Sequence, residues 1–270
     1  MTGSYRASVG HNPKILVKRS QPGISGGPIS FALGSTPSVP MSFNDGFENA
    51  ALDTSLYTAS TAGAGILLPD TAHSREGGRA LHTRLAKSGT THYRQEVMVE
   101  SATNGDLIAG SPEYWLGISI YIPSGISYTA LSHLLQWHTY LAGGFSPLFS
   151  LAVQTGNLIF HREIPGTVNT TLHAVTTNVW NDYVFRIKWR TDTTGLIEMW
   201  ENGTKLYSSL NSVTAWSGDS PLAIPKFKCG RYSSRWKQAG DTDPDGTIHE
   251  TWHDSIRIAL GNNLYDAVLP

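Results

Sequence analysis

Three short stretches carry residue types able to move protons beside an anion: His92-Tyr93-Arg94-Gln95-Glu96-Val97, Leu135-Gln136-Trp137-His138 and Phe227-Lys228-Cys229-Gly230-Arg231-Tyr232. Each reads as a β-strand, in which residues i and i+2 share a face about 6.5–7 Å apart. In the first, Tyr93, Val97 and Val99 fall on one side and His92, Arg94 and Glu96 on the other. Gln136 and His138 share a face in the second; in the third, Phe227 and Cys229 point one way, Lys228 and Tyr232 the other. Together the polar faces offer a fixed cation, a neutral amide donor, an imidazole and a phenol, a set suited to chemistry beside a sugar carboxylate. Lys228, Arg231, Arg235 and Lys237 cluster around Tyr232. A nearly neutral chain that gathers its basic residues at three strands implies a groove for an anionic ligand. His92, Glu96, Lys228, Arg231 and Arg235 are the expected substrate-binding groups along it.

The elements that must hold these groups are strands. Charged residues make up only 15% of the 270, and the 27 Gly and 14 Pro favour a turn-rich all-β chain. Strand signals recur over 114–123, 134–141, 147–154, 157–163, 170–176, 182–190, 195–201, 205–208, 222–233 and 251–260. Thr155-Gly156-Asn157 and Asn202-Gly203 read as hairpin turns. No stretch has a 3.6-residue apolar period, so helices should be few and short. The expected architecture is a β-jelly roll, a sandwich of two antiparallel sheets with a concave substrate groove. Residues 1–40, rich in Gly, Ser and Pro, read as an extended polar lead or linker, and 41–270 as a single jelly-roll domain. Most of the eight tryptophans belong in the core; Trp236, in a polar loop, is expected to be exposed as a sugar-stacking platform.

Composition removes several classes. A net charge of −1 gives no global footprint for nucleic acid. The single cysteine, Cys229, excludes an intrachain disulfide and any multi-cysteine metal site. No apolar run approaches the roughly 20 residues of a membrane span, and no signal-peptide core is present at the N-terminus. The chain is expected to act outside the cell, with its signal absent from this sequence, or to be carried on a phage particle, and to be a monomer. A glycoside hydrolase would need two carboxylates opposed across the bond, and no strand carries a Glu-x-Asp-x-x-Glu-like pattern.

The three stretches resemble the signature strands of the jelly-roll polysaccharide lyases, the group of alginate lyases, glucuronan lyases and lyases of the heparin lyase I type. Arg94-Gln95-Glu96-Val97 is similar to that family's Arg-Ser/Thr-Glu-Leu/Val strand, Gln136-Trp137-His138 to its Gln-x-His strand, and Phe227 to Tyr232 to its Phe-Lys-Ala-Gly-x-Tyr strand. Trp180 to Trp189, Gly195 to Gly203 and Tyr114-Trp115-Leu116-Gly117 resemble further stretches of the glucuronan-lyase-like and heparin-lyase-like members. Gln95 and Cys229 depart from the pattern, where a small hydroxyl residue and Ala are usual. The resemblance implies β-elimination of a 1,4-linked uronic acid on an anionic polysaccharide, without a catalytic cofactor. It casts Arg94 and Gln136 as neutralisers of the carboxylate, Gln136 nearest to it, with Glu96 orienting Arg94. His138 is the base and Tyr232 the acid, or Tyr232 serves as both. A phenol of pKa about 10 needs help as a base, which Lys228, Arg231 and Arg94 would supply. A non-catalytic, lectin-like module on the same scaffold is the alternative; it would not need Gln136, His138 and Tyr232 together.

Glu48 and Asp254 lie near the two ends of the expected domain, where such folds bind a structural calcium, an ion suited to hard oxygen ligands. Asp241-x-Asp243-x-Asp245-Gly246 imitates the start of an EF-hand loop, but Trp252 stands where the bidentate Glu should be, so a mobile turn is expected, and a lid over the groove is one role for it. His249 and His253 lack a third ligand at a zinc spacing.

Overall fold

The computed structural model describes residues 41–99, 113–126, 129–141, 144–216 and 225–270; the lead expected over residues 1–40 lies outside the described residues. Within them the alternating runs form strands, beginning with β1 (Met41–Asp45), β2 (Tyr57–Ala62), β3 (Gly65–Asp70), β4 (Ala80–Ala86) and β5 (Arg94–Val99). There follow β6 (Tyr114–Tyr121), β7 (Ser132–Leu141), β8 (Gly144–Gln154), β9 (Asn157–Arg162) and β10 (Val168–Ala174). The last are β11 (Trp180–Lys188), β12 (Gly195–Glu201), β13 (Thr204–Ser212), β14 (Lys226–Tyr232) and β15 (Ile248–Leu260). Among the described residues helix is confined to a 3-10 turn over Ser234–Lys237 and to α1 (Tyr265–Val268). Both expected hairpins form: Thr155-Gly156 and Asn202-Gly203 have positive φ at both residues, as a two-residue turn matched to strand twist requires.

The strands make two antiparallel sheets. The first runs β13-β12-β11-β6-β15-β4-β3, with β1 also paired to β15; the second runs β10-β9-β8-β7-β14-β5-β2. Their inner faces meet in one apolar core, at whose centre Trp137 of β7 packs against Phe149, Phe185 and Phe227 with ring centroids 5.2, 4.9 and 5.5 Å away. A smaller cluster of Trp115, Val184 and Ala259 is covered by Leu264 and Val268 of the C-terminal segment. That segment needs Gly117, because a Cβ there would stand 1.7 Å from the Val268 carbonyl oxygen.

The three chemistry-bearing stretches lie side by side as β7-β14-β5 in the second sheet. Their register is not uniform. Cys229 pairs with Leu135 but Tyr232 with His133, so Gly230 and Arg231 of β14 face the single Leu134 of β7. Leu134 is also the extra residue against β8. A bulge of this kind changes the phase of alternation along a strand. Counting back from Gln136 in strict alternation would send Ser132 and Leu134 outward and His133 inward. Instead Leu134 and Leu135 both enter the core, Ser132 turns inward to the Ser233 hydroxyl at 2.8 Å, and His133 stacks on Tyr232. Gly230 permits this backbone: its φ is +131°, and a Cβ would lie 2.3 Å from the Gln95 carbonyl oxygen.

The bulged peptide leaves the Leu134 carbonyl pointing away from the ladder. The buried His253 of β15, on the opposite sheet, donates Nε2–H to it at 3.0 Å. Burial, with Arg231 nearby, pushes the His253 imidazole down to about 3 from 6.5. The folded protein therefore holds this ring neutral, while the unfolded chain takes up a proton as pH falls below 6.5. The sign follows: this site costs no stability above about pH 6.5 and removes up to about 1.4 kcal/mol per pH unit as pH falls toward 3. Urea unfolding measured from pH 7 to pH 4 should show that loss. His253→Gln, which keeps a donor but cannot titrate, should shed about one proton from the slope. An identical slope in the variant would show that His253 is not held neutral.

Candidate active site

One rung across three strands brings the reactive groups together: Arg94 of β5 pairs with Tyr232 of β14, which pairs with His133 of β7. All three side chains lie on the outer face of the second sheet. The Arg94 guanidinium sits 4.3 Å over the Tyr232 ring, and His133 stacks on its other neighbour side at 5.3 Å and 21°. Lys237, at the end of the 3-10 turn, donates to the Tyr232 Oη at 3.0 Å. The phenol oxygen thus accepts a hydrogen bond from a cation. His133 shares a hydrogen bond of 2.8 Å between Nδ1 and the Ser150 hydroxyl. Burial above all, then the charges of His161, Arg231, Arg94 and Lys237, pushes its imidazole down to about 3, so the ring is neutral.

The next rungs carry the supporting groups. Glu96 pairs with Gly230, and its buried carboxylate reaches over that side-chain-free position to accept from the Gln136 Nε2 at 2.6 Å. Its other oxygen ion-pairs with the Arg94 Nε at 3.2 Å. Burial pushes the Glu96 carboxyl up, against Arg94, Lys228 and the Gln136 bond, which favour its charge. Glu96 is placed to orient Arg94. Gln136, expected to meet a ligand carboxylate, donates an amide proton to Glu96 and is fully buried. Lys228 pairs with Gln136 and lies beside Glu96.

His138 stands apart. It pairs with Lys226, six residues along β14 from Tyr232, a separation of about 20 Å at the usual strand rise. One sugar ring cannot touch both. His133, which sequence reasoning missed, occupies the position expected of His138. His161 of β9 lies next in line, 5.8 Å from His133 between ring centroids, and bonds Glu163 at 2.8 Å and Asn169 at 2.6 Å.

Two expected binding residues are not on this face. Arg231 is fully buried and points between the sheets, where it donates to the Ser132 Oγ at 2.5 Å. Ser132 continues through Ser233 to the His249 Nδ1, each step 2.8 Å, so a hydrogen-bonded chain runs beneath the residues flanking His133 and Tyr232. Strict alternation already placed Arg231 opposite Tyr232 in direction. Trp236 is also fully buried: it stacks on His249 at 4.4 Å and donates to Asp243 at 2.8 Å, because the polar loop folds back onto β15. His92 packs at the β2–β3 turn and accepts from the Ala64 amide at 3.4 Å, outside the Tyr232 group. Arg235 is exposed.

Glu48 and Asp254 do converge. A Cβ on Gly46 would find an oxygen of Asp254 at 3.6 Å and one of Glu48 at 3.7 Å. Asp254 accepts from the amides of Arg75, Glu76 and Ser255, and Glu48 from that of Gly78. Burial, with the Glu48 charge adding to it, pushes the Asp254 carboxyl up to about 6. No group of three or more ligating side chains forms among the described residues, so any cation here would need backbone oxygens as well. The Asp241–Asp245 loop is tied down and is no free lid. Asp241 and the Asp243 carbonyl hold Lys87, the Asp243 side chain holds Trp236, and Asp245 takes the Gly89 amide at 2.9 Å.

A family model described as Polysaccharide lyase matches residues 53–257. Among solved structures the chain is similar to the endo-beta-1,4-glucuronan lyase of the fungus Trichoderma reesei, at 20% identity and a TM-score of 0.67, over 86% of this chain and 99% of that one. It is similar to the PL-14 alginate lyase of Aplysia kurodai at 12% identity and 0.58, over 82% and 99%. A carbohydrate esterase of the Shiga toxin-encoding bacteriophage phi24B shares 13% identity at 0.53, over 83% and 100%. At such identities the likeness is one of fold. No curated protein sequence matches.

Proposed function

The chain belongs to the polysaccharide lyase family, and from that premise we propose that it cleaves 1,4-linked uronic-acid polymers by β-elimination on the outer face of its second sheet. The observation that carries this reading is the rung Arg94–Tyr232–His133 with Lys237 at the phenol oxygen. Elimination removes the proton at C5, uses its electron pair to form the C4–C5 double bond, and expels O4, which must take a proton. The uronate charge has to be met before C5 becomes acidic enough, and donors fixed in advance do this best. Arg94, oriented by Glu96, is the group for that task, with Lys228 four residues along β14 from Tyr232. Tyr232 carries both proton steps: as the phenolate, its charge met directly by Lys237 with Arg94 over the ring, it takes the C5 proton, and the same oxygen then delivers that proton to O4. His133, neutral and stacked, sets the ring's position without adding a competing charge.

A panel of polyuronates, with glucuronan first, followed by ultraviolet absorbance of the conjugated unsaturated product, tests the reaction. On a polymer that is cleaved, Tyr232→Phe should lower kcat by about 10²–10⁴, the range for loss of a general acid–base group. His133→Ala should impair turnover more than His138→Ala, since His138 lies about 20 Å from Tyr232. A collapse in His138→Ala equal to that in Tyr232→Phe would overturn this division of roles.

A structural calcium at Glu48 and Asp254 is part of the same reading. Two converging carboxylates, one of them raised toward neutrality by burial and its neighbour's charge, form a site that a hard cation would relieve. The ion would stabilise the fold and take no part in the chemistry. Excess chelator should lower the melting temperature by about 5–10 °C, the shift for a ligand present at roughly 100-fold its Kd. Turnover at low temperature should persist. An unchanged melt means that the two carboxylates act alone.

A further inference from the structure

Beyond the Tyr232 rung the face continues into a pocket of about 400 Å³ whose lining includes Arg235, Gln154, Asn169, Thr129, Thr242 and Asp241. We propose that this pocket seats a second uronate of the same chain and that Arg235 reads its carboxylate, so that the protein selects polymers with acidic sugars on both sides of the cleavage point. The inference rests on the lyase reading of Tyr232 and extends it to substrate class.

The pocket is continuous with the rung. Asn169 bonds the His161 ring at 2.6 Å, His161 lies 5.8 Å from His133, and His133 5.3 Å from Tyr232. The volume falls in the range of small-ligand sites and is hydroxyl- and amide-rich, as a sugar ring needs. Charge is decisive. Among the described residues the Arg235 guanidinium has no carboxylate partner. The one acid in the lining, Asp241, is already held by Lys87. The pocket is therefore cationic toward a ligand although it contains a carboxylate. Arg235 is also well placed to discriminate, because its neighbour Trp236 is locked by His249 and Asp243, which fixes the backbone that carries it. An arginine so held suits bidentate recognition of a carboxylate better than a lysine would.

The experiment uses the polyuronate on which the wild-type protein is active and the same polymer after partial chemical reduction of its carboxyl groups to alcohols. Arg235→Ala should raise KM about tenfold on the native polymer and leave kcat within about twofold, the pattern for lost uniform binding. The wild type should suffer a similar KM increase on the reduced polymer, and the variant should lose little more. In a Tyr232→Phe background, binding of the native polymer measured by calorimetry should weaken by the same factor when Arg235 is replaced. An unchanged KM and Kd, or equal losses for both proteins on reduced polymer, would overturn the role of Arg235. If no polyuronate yields an unsaturated product, the lyase reading fails, and the calorimetric comparison still reports on Arg235 separately.

Discussion

The bond from His253 to the Leu134 carbonyl is the contact on which the candidate site depends. A bulge strands one peptide group away from its ladder, and a buried orphan carbonyl costs about 1–3 kcal/mol. The first sheet supplies the missing donor through His253. Only with that group satisfied can β7 keep the phase that turns His133 outward beside Tyr232. The two sheets are therefore coupled by more than apolar contact: one fixes the register of the other at the rung where chemistry would occur.

That coupling runs through a polar layer inside an otherwise apolar sandwich. Arg231, Ser132, Ser233 and His249 form a connected chain, and His253 lies close enough to Arg231 to feel its charge. Burying a guanidinium is costly unless its protons are taken up, and such networks stabilise a single arrangement only when they are satisfied throughout. The layer lies directly under Tyr232 and His133 and grips the residues before and after them. Apolar side chains could fill the same volume, but they would not fix the strand phase, since a one-residue slip exchanges the faces of the whole strand.

Much of this was legible in the sequence where alternation is strict. Arg94 and Glu96 against Val97 and Val99, and Lys228 and Tyr232 against Phe227 and Cys229, sort onto opposite faces as read. The same rule would have excluded Arg231 from the ligand face had it been applied to that residue. His133 could not be found this way, because the Leu134 bulge reverses the phase and nothing local to Ser132-His133-Leu134-Leu135 announces it. Strands β2, β3 and β4 also escaped notice. β3 contains Pro69, and β4, Ala80–Ala86, is buried on nearly every residue and lacks both alternation and a β-branched run. Trp236 was misjudged for another reason: loop polarity says nothing about a ring that folds back to stack on His249.

Charge is distributed differently on the two sheets of a chain whose net charge is −1. On the first sheet the charges cancel locally: Arg75 with Asp182, Arg186 with Glu113 and Glu198, Lys205 with Glu198, and Arg257 with Glu76. On the outer face of the second sheet Arg94 pairs with Glu96, which also feels the charge of Lys228, and Lys237 lies at the Tyr232 oxygen. Paired charges produce fields that die away within a few ångströms, whereas an unbalanced cluster extends its potential over about a Debye length, roughly 8–10 Å in physiological salt. The fold is shared with proteins described as lyases and with one described as an esterase. What distinguishes this chain is therefore what its second sheet carries on the Tyr232 rung, a phenol with Arg94 over its ring and Lys237 at its oxygen.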